Sequence, residues 1–180
     1  MSTSTTTTTT TPNLLPPQPT FRFPTEGVPE ALHRGDGELP FVEFDPGVQM
    51  QVLQVDIPTG LWVVRMRMVP GATLPTHKHS GEVNAFTLAG SWRYLEYDAV
   101  NRAGSYLYEP AGSTHTLHVP ASNTEITDVW FAIRGPNLNL DAEGKVTLVL
   151  DAALVLKVYQ SRCRKLGLPA PRVIGADGQR

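Results

Sequence analysis

The sequence contains a single cysteine, Cys163, so neither an internal disulfide framework nor a cysteine-rich zinc module can form. That usage suits a reducing compartment, and Cys163 itself reads as a small residue on a helix. Long apolar runs are also missing. The longest are short stretches such as Ala152 to Leu156, far below the ~18 residues that a membrane-spanning helix needs. Nor is there an excess of basic charge: 15 Lys plus Arg stand against 17 Asp plus Glu, a formal net charge of −2, with no basic stripe in any segment. Nucleic-acid binding is therefore not expected. Internal repeats and a Gly-rich phosphate loop are absent from the sequence too. These absences leave a soluble, cytoplasmic protein as the expectation, with neither membrane nor nucleic acid as a partner.

What remains is enough for one closed core: 180 residues, 41% of them hydrophobic and 18% charged. The opening MSTSTTTTTTTPNLLPPQPT is a Thr run followed by Pro-rich sequence, without the positive and apolar regions of a signal peptide. Residues 1–24 are expected to be a disordered Thr/Pro-rich tail, residues 25–170 a single domain, and residues 171–180 a frayed C-terminal tail.

Turn signals recur at short intervals through the domain, among them Asp45-Pro46-Gly47, Ile57-Pro58-Thr59-Gly60 and Pro70-Gly71. Between them lie segments rich in Val, Leu, Phe, Trp and Met. Strands are expected over Phe41–Phe44, Met50–Asp56, Leu61–Val69, Asn84–Leu88, Trp92–Tyr97, Ser105–Tyr108, Thr114–Val119 and Thr124–Ile133, an all-β sandwich or barrel. Trp62, Val64, Met66 and Met68 alternate with Val63, Arg65 and Arg67, which gives that strand an inner apolar face and a partly charged outer one. Further on, Asp151 can cap a helix whose apolar positions Ala152, Val155, Tyr159, Cys163 and Leu166 share a face, with Gly167 and Pro169 ending it.

The histidines carry the chemistry. Four of the five lie between His77 and His118, and His77-Lys78-His79 has the one-residue gap that puts both imidazoles on one face of a strand. Two such rings can bind one cation, and a third from a strand across the barrel completes a triangular ligand face. His115 is the candidate third ligand. It shares a face with Leu117 and Val119, whereas Thr114, Thr116 and His118 point the other way.

The stretch from Gly71 to His77-Lys78-His79, with Gly90 beyond it, resembles the first motif of the cupin superfamily. Gly104, Pro110-Ala111-Gly112 and His115 resemble its second. The resemblance implies a cupin-type double-stranded β-helix, a jelly-roll barrel with one C-terminal helix, holding a divalent metal at His77, His79 and His115. One position departs from the pattern. The glutamate common in the first motif falls on Val83, which cannot bind a metal. Two carboxylates are candidates to replace it: Glu96, which would share an inward face with Trp92 and Tyr94 as a fourth ligand or acid-base group, and Glu82, which a local bulge could recruit. Glu109, just before Pro110, reads as an ordinary solvated charge. Phe86, Trp92, Tyr94, Tyr106 and Trp130 are candidates to line an apolar substrate pocket.

A neutral three-imidazole site leaves coordination positions open, which suits catalysis or sensing and favours chelation of an enediolate or β-diketonate. Fe(II) is the expected ion, although imidazole sites also accept Zn, Ni, Mn or Cu. Leu32-His33-Arg34-Gly35-Asp36, the run from Pro70 to Val83, Glu109 to His115 and the tail helix together resemble the 2,4'-dihydroxyacetophenone dioxygenase family of small cupins. That resemblance implies cleavage of an aromatic α-hydroxyketone by O2 to an aromatic acid and formate, chemistry that needs an acid-base group, for which Glu96 is the nominee. A β-diketone dioxygenase of the acetylacetone type would use the same histidines. A zinc-binding cupin module of the anti-sigma type would make the chain a sensor, but such modules keep the glutamate missing at Val83. Exposed strands near the N-terminus favour a homodimer or homotetramer.

Overall fold

The computed structural model describes residues 27–176, so the expected Thr/Pro-rich tail lies outside the described residues. Everything that follows concerns the unit from Leu32 onward. Its elements run in the order β1 (Val42–Asp45), β2 (Val48–Asp56), β3 (Leu61–Met68), β4 (His77–His79), β5 (Val83–Ala89), β6 (Ser91–Tyr94), β7 (Val100–Arg102), β8 (Tyr106–Glu109), β9 (Thr114–His115), β10 (Leu117–His118), β11 (Thr127–Arg134), β12 (Asn137–Leu140), β13 (Val146–Leu150) and α1 (Ala152–Lys165).

One layer is a six-stranded sheet in the order β1-β2-β3-β11-β5-β8, and its pairings are antiparallel throughout. Shorter sheets, β13-β12-β4-β9 and β10-β6-β7, supply the other strands. Alternation on β3 is as the sequence dictates: Trp62, Val64, Met66 and Met68 are buried, and Arg65 and Arg67 turn outward to share Asp128 across the ladder on β11. Trp62, Val64 and Met68 join Val52, Trp92, Val129 and Phe131 in one continuous core. The hairpin from β5 to β6 turns at Gly90, with φ +70 and with an added Cβ only 2.8 Å from the Thr127 Cα, so both conformation and space exclude a side chain there.

Two expected strands end early. The strand expected over Trp92–Tyr97 stops at Tyr94, where Tyr97 N donates back to the Tyr94 carbonyl and closes a turn. The strand expected over Thr114–Val119 breaks at Thr116 into β9, which pairs with β4, and β10, which pairs with β6. Thr116 is thus the point at which one strand passes from one short sheet to the other. At the C-terminal end, Asp151 accepts from Leu154 N and caps α1, which buries Ala152, Val155, Leu156, Tyr159 and Cys163. The chain after the helix is not frayed as far as it is described. Val173 is buried, and Ile174 both accepts from Val55 N and donates to the Leu53 carbonyl of β2. No helix among the described residues is long and apolar enough to cross a membrane.

Candidate metal centre

His77 and His79 are buried while Lys78 between them is exposed, as a two-residue period requires. Strand β4 lies between β12 and β9, and the register sets His77 directly opposite His115. Three imidazoles therefore meet in the interior, with ring centroids 4.9, 5.0 and 5.2 Å apart. One potential ligand atom from each lies within 4.8 Å of the others. His77 Nδ1 donates to the Pro75 carbonyl at 2.8 Å, which fixes its tautomer and leaves Nε2 as the unprotonated nitrogen.

The fourth polar group of the cluster is Glu109. Its Oε2 lies 3.0 Å from His79 Nε2 and 3.1 Å from His115 Nε2, with the carboxylate 3% exposed. Both His115 nitrogens, His79 Nδ1 and Glu109 Oε2 are buried without an aligned hydrogen bond among the described residues. Contacts this short between imidazole nitrogens and a carboxylate oxygen require either a ring N–H donated to Glu109 or a cation bound among them. The three imidazoles fit a divalent first-row metal, which His77, His79 and His115 could hold, with Glu109 beside two of them.

Tyr94 completes the arrangement. Its hydroxyl donates to Glu109 Oε1 at 2.5 Å, and its ring stacks on His115 with centroids 3.6 Å apart and planes 16° apart. Burial and the adjacent carboxylate push the phenol well above its ordinary range, so it remains a donor. Burial alone would raise Glu109, but the neighbouring His115 and His79 imidazoles and the Tyr94 hydroxyl outweigh it and hold the carboxyl at about 2. His77 moves to about 4, chiefly through burial, with the Pro75 carbonyl opposing and the other two imidazoles adding to the drop. At neutral pH the cluster is therefore a carboxylate facing a neutral His77, a state ready for a cation.

Neither carboxylate nominated from the sequence occupies this place. Glu96 lies beyond the end of β6, is exposed, and accepts from Thr116 N at 2.9 Å, because the turn after Tyr94 ends the alternation that would have aimed it inward. Glu82 precedes β5, opposite in direction to the fully buried Val83, and pairs with Arg134 at 3.0 Å in a half-exposed contact. Glu109 is instead the direct cross-strand partner of Val83. The carboxylate that stands beside two of the histidines thus comes from the neighbouring strand β8 and not from β5. Its signal was present in Tyr106-Leu107-Tyr108-Glu109, where alternation puts Leu107 and Glu109 on the inner face and both tyrosines outside.

Of the five aromatic candidates for a pocket, only Tyr94 lines the cavity beside the histidines. Phe86 and Tyr106 face each other on the outer side of β5 and β8 and are exposed, and Trp130, Phe86's partner on β11, shares that face. Trp92 is fully buried core, its indole N–H donating to Thr87 Oγ1. The cavity has a volume of about 310 Å³, with His77 and His79 in its wall. Its apolar lining comes from β2, β3 and β11, including Met50, Trp62, Met66, Phe131 and Ile133. Asn137 and Asn139 of β12 add polar groups that sequence reading passed over. His33 is exposed, and His118 turns away from the cluster to bond Thr73 Oγ1 at 2.8 Å.

Comparison with known proteins agrees with this architecture. Residues 32–136, more than half of the chain, match the family described as ChrR cupin-like domain. A protein of unknown function with a cupin-like fold from Ralstonia eutropha JMP134 is 30% identical, covering 80% of this chain and 94% of its own, with a TM-score of 0.70. An RmlC-like cupin protein from the same organism is 28% identical over 75% of this chain and 88% of its own, also with a TM-score of 0.70. An acetylacetone dioxygenase from Acinetobacter johnsonii shares the fold at 18% identity, covering 79% of this chain and 98% of its own, with a TM-score of 0.66. No curated protein matches the sequence. Jelly-roll strands, the two histidine-bearing motifs and the match over residues 32–136 lead to one conclusion: the chain belongs to the ChrR cupin-like domain family.

Proposed function

We propose that the protein is a non-haem Fe(II) dioxygenase that cleaves the C–C bond between the carbonyl and the hydroxylated carbon of an aromatic α-hydroxyketone. One ketone and one O2 give one aromatic carboxylic acid and one formate, which balances without a further reductant. The observation that carries the reading is that two members of the His77, His79 and His115 cluster, His77 and His79, stand in the wall of an apolar cavity of monocyclic-aromatic size. Fe(II) held there would supply Lewis acidity and the electrons that O2 activation requires.

The residues of the chain do the rest. Tyr94 holds Glu109 by its hydroxyl and His115 by its ring, so the two donors keep fixed positions while substrate enters. Met50, Trp62 and Phe131 exclude water and accept the aryl ring. Glu109, ionised at neutral pH and in contact with His79 and His115, takes the fourth-ligand place sought for Glu96. A β-diketone dioxygenase reading draws support from the fold shared with the Acinetobacter johnsonii enzyme. A zinc-binding sensor draws it from the ChrR cupin-like match.

An oxygen electrode separates these readings. After anaerobic Fe(II) loading, a panel of aromatic α-hydroxyketones and β-diketones is supplied, and products are identified. The expected result is O2 uptake with a hydroxyketone and equimolar aromatic acid and formate. Uptake with β-diketones alone would move the assignment to that class. No uptake from any panel member, together with tightly held native zinc, would leave the sensor.

A further inference from the structure

Strand β12 reads Asn137-Leu138-Asn139-Leu140, and its register sets Asn137 opposite His79 and Asn139 opposite His77. Directly opposed side chains project to the same face of a sheet, so each amide stands beside one imidazole of the cluster. The two rungs differ in the histidine's Nδ1. That of His77 is bonded to the Pro75 carbonyl. That of His79 is buried without a hydrogen-bond partner among the described residues, and so is Asn137 Oδ1 across the rung. Opposed Cβ atoms stand about 5 Å apart, and each of these two atoms lies two bonds beyond its Cβ, so a modest side-chain rotation brings them within hydrogen-bonding reach.

The chemistry of the pair allows one pattern of protons. Asn137 Oδ1 can only accept, so the nitrogen that satisfies it, His79 Nδ1, must carry the ring proton. The other ring nitrogen, Nε2, lies 3.0 Å from a second acceptor, Glu109 Oε2. A neutral imidazole has one N–H for these two oxygens. With the proton on Nδ1, the Nε2 lone pair faces the carboxylate, and a cation bound between them removes the conflict. Ser113 is a rival partner, since its carbonyl accepts from His79 N and its hydroxyl is also buried and unpaired. A hydroxyl brings its own proton and rotates, however, whereas an amide oxygen depends on a neighbour's proton.

Resting on the metal-site reading above and on no particular substrate, we propose that Asn137 is a positioning residue of the centre: its Oδ1 accepts the Nδ1 proton of His79 and so holds that ring in the tautomer whose Nε2 is free to bind a metal. Asn137 does for His79 what the Pro75 carbonyl does for His77. Removing the acceptor leaves a buried, unpaired Nδ1–H and favours the tautomer that donates Nε2–H to Glu109, which puts a proton where the metal would bind.

The test uses full-length protein with isotope-labelled imidazole nitrogens, loaded with Zn(II). Long-range proton–nitrogen correlation spectra report, histidine by histidine, which ring nitrogen carries the proton, and competition titration reports Zn(II) affinity. In the wild type, His79 is expected to carry its proton on Nδ1, in slow exchange with water. Asn137→Leu removes the acceptor and should speed that exchange at least about tenfold and weaken Zn(II) binding about 10- to 100-fold. Asn137→Asp keeps an acceptor oxygen and should hold both within about threefold of wild type. Asn139→Leu and Ser113→Ala, measured in parallel, should leave the His79 proton unchanged. A wild-type His79 protonated on Nε2 with zinc bound overturns the proposal, whether or not every variant folds. Wild-type exchange at His79 in Asn137→Leu overturns it too, whatever the affinity, because a merely structural loss would weaken zinc without moving that proton. Faster exchange in Ser113→Ala but not in Asn137→Leu gives the role to Ser113 and equally overturns it. Failure of the wild type to bind Zn(II) removes the metal-site reading first, and this proposal with it.

Discussion

Val83 and Glu109 face each other across a single rung of the β5–β8 ladder, and that pairing sets a carboxylate beside His79 and His115. A metal site needs a carboxylate at a point in space, not at a position in a motif, and a cross-strand neighbour a few ångströms away can deliver it. His115→Ala should abolish metal retention by elemental analysis, while His33→Ala and His118→Ala, altering residues outside the cluster, should retain wild-type metal content. Tyr94→Phe keeps the ring against His115 but removes the donor to Glu109; metal affinity by competition titration is expected to fall about tenfold, within the range for lost outer-shell partners. Affinity equal to wild type would show that the hydroxyl does not position the carboxylate. The histidines were legible because a one-residue gap in a strand has one geometric meaning. Glu109 was legible in principle from the alternation of Tyr106 to Glu109, but the usual exposure of lone carboxylates outweighed that pattern. Glu96 was misplaced because an alternation was extended two residues past the end of its strand.

At the scale of elements, the break at Thr116 explains how one segment serves two sheets. His115 on β9 pairs with β4 to build the centre, and Leu117 on β10 pairs with Tyr94 on β6, the residue that buttresses it. Glu96 accepts the Thr116 N–H at this break, a structural use for a residue nominated as catalytic. Glu96→Gln is accordingly expected to leave turnover near wild type, measured as O2 uptake. The helix was readable to within a residue of its ends because Asp151, the 3.6-residue apolar spacing and Gly167 agree with one another. Asp151→Ala should cost about 1 kcal/mol, a fall of roughly 3 °C in Tm by calorimetry. Strands β12 and β13 were not legible. On β12 the inward positions are Asn137 and Asn139, the reverse of the apolar-in pattern that identifies a strand, and β13 exposes Val146, Thr147, Leu148 and Val149 in succession, without alternation.

For the whole molecule, the all-β class followed from turn spacing and short strands and the jelly roll from the resemblance to the cupin motifs, while the position of the cavity followed from neither. Outward aromatics such as Phe86 and Tyr106 have the same sequence signature as inward ones until register is known. The centre also sets a pH response. His77 titrates near 4 in the folded protein against 6.5 ordinarily, so between those values the unfolded chain binds more protons and metal-free stability falls as pH drops. Glu109, near 2 against 4.5, adds a loss in the same direction over that lower window. The metal-free protein should therefore lose several degrees of Tm between pH 6.5 and 4, and His77→Gln should flatten that slope; an unchanged slope would contradict the burial argument. The central claim is that Glu109 completes the three-histidine centre, and divalent-metal affinity measured side by side for Glu109→Gln, Glu96→Gln and Glu82→Gln tests it most directly. The account predicts a loss of about 10- to 100-fold for Glu109→Gln alone, with the other two within about twofold of wild type. Wild-type affinity in Glu109→Gln, or a comparable loss in Glu96→Gln or Glu82→Gln, would contradict it.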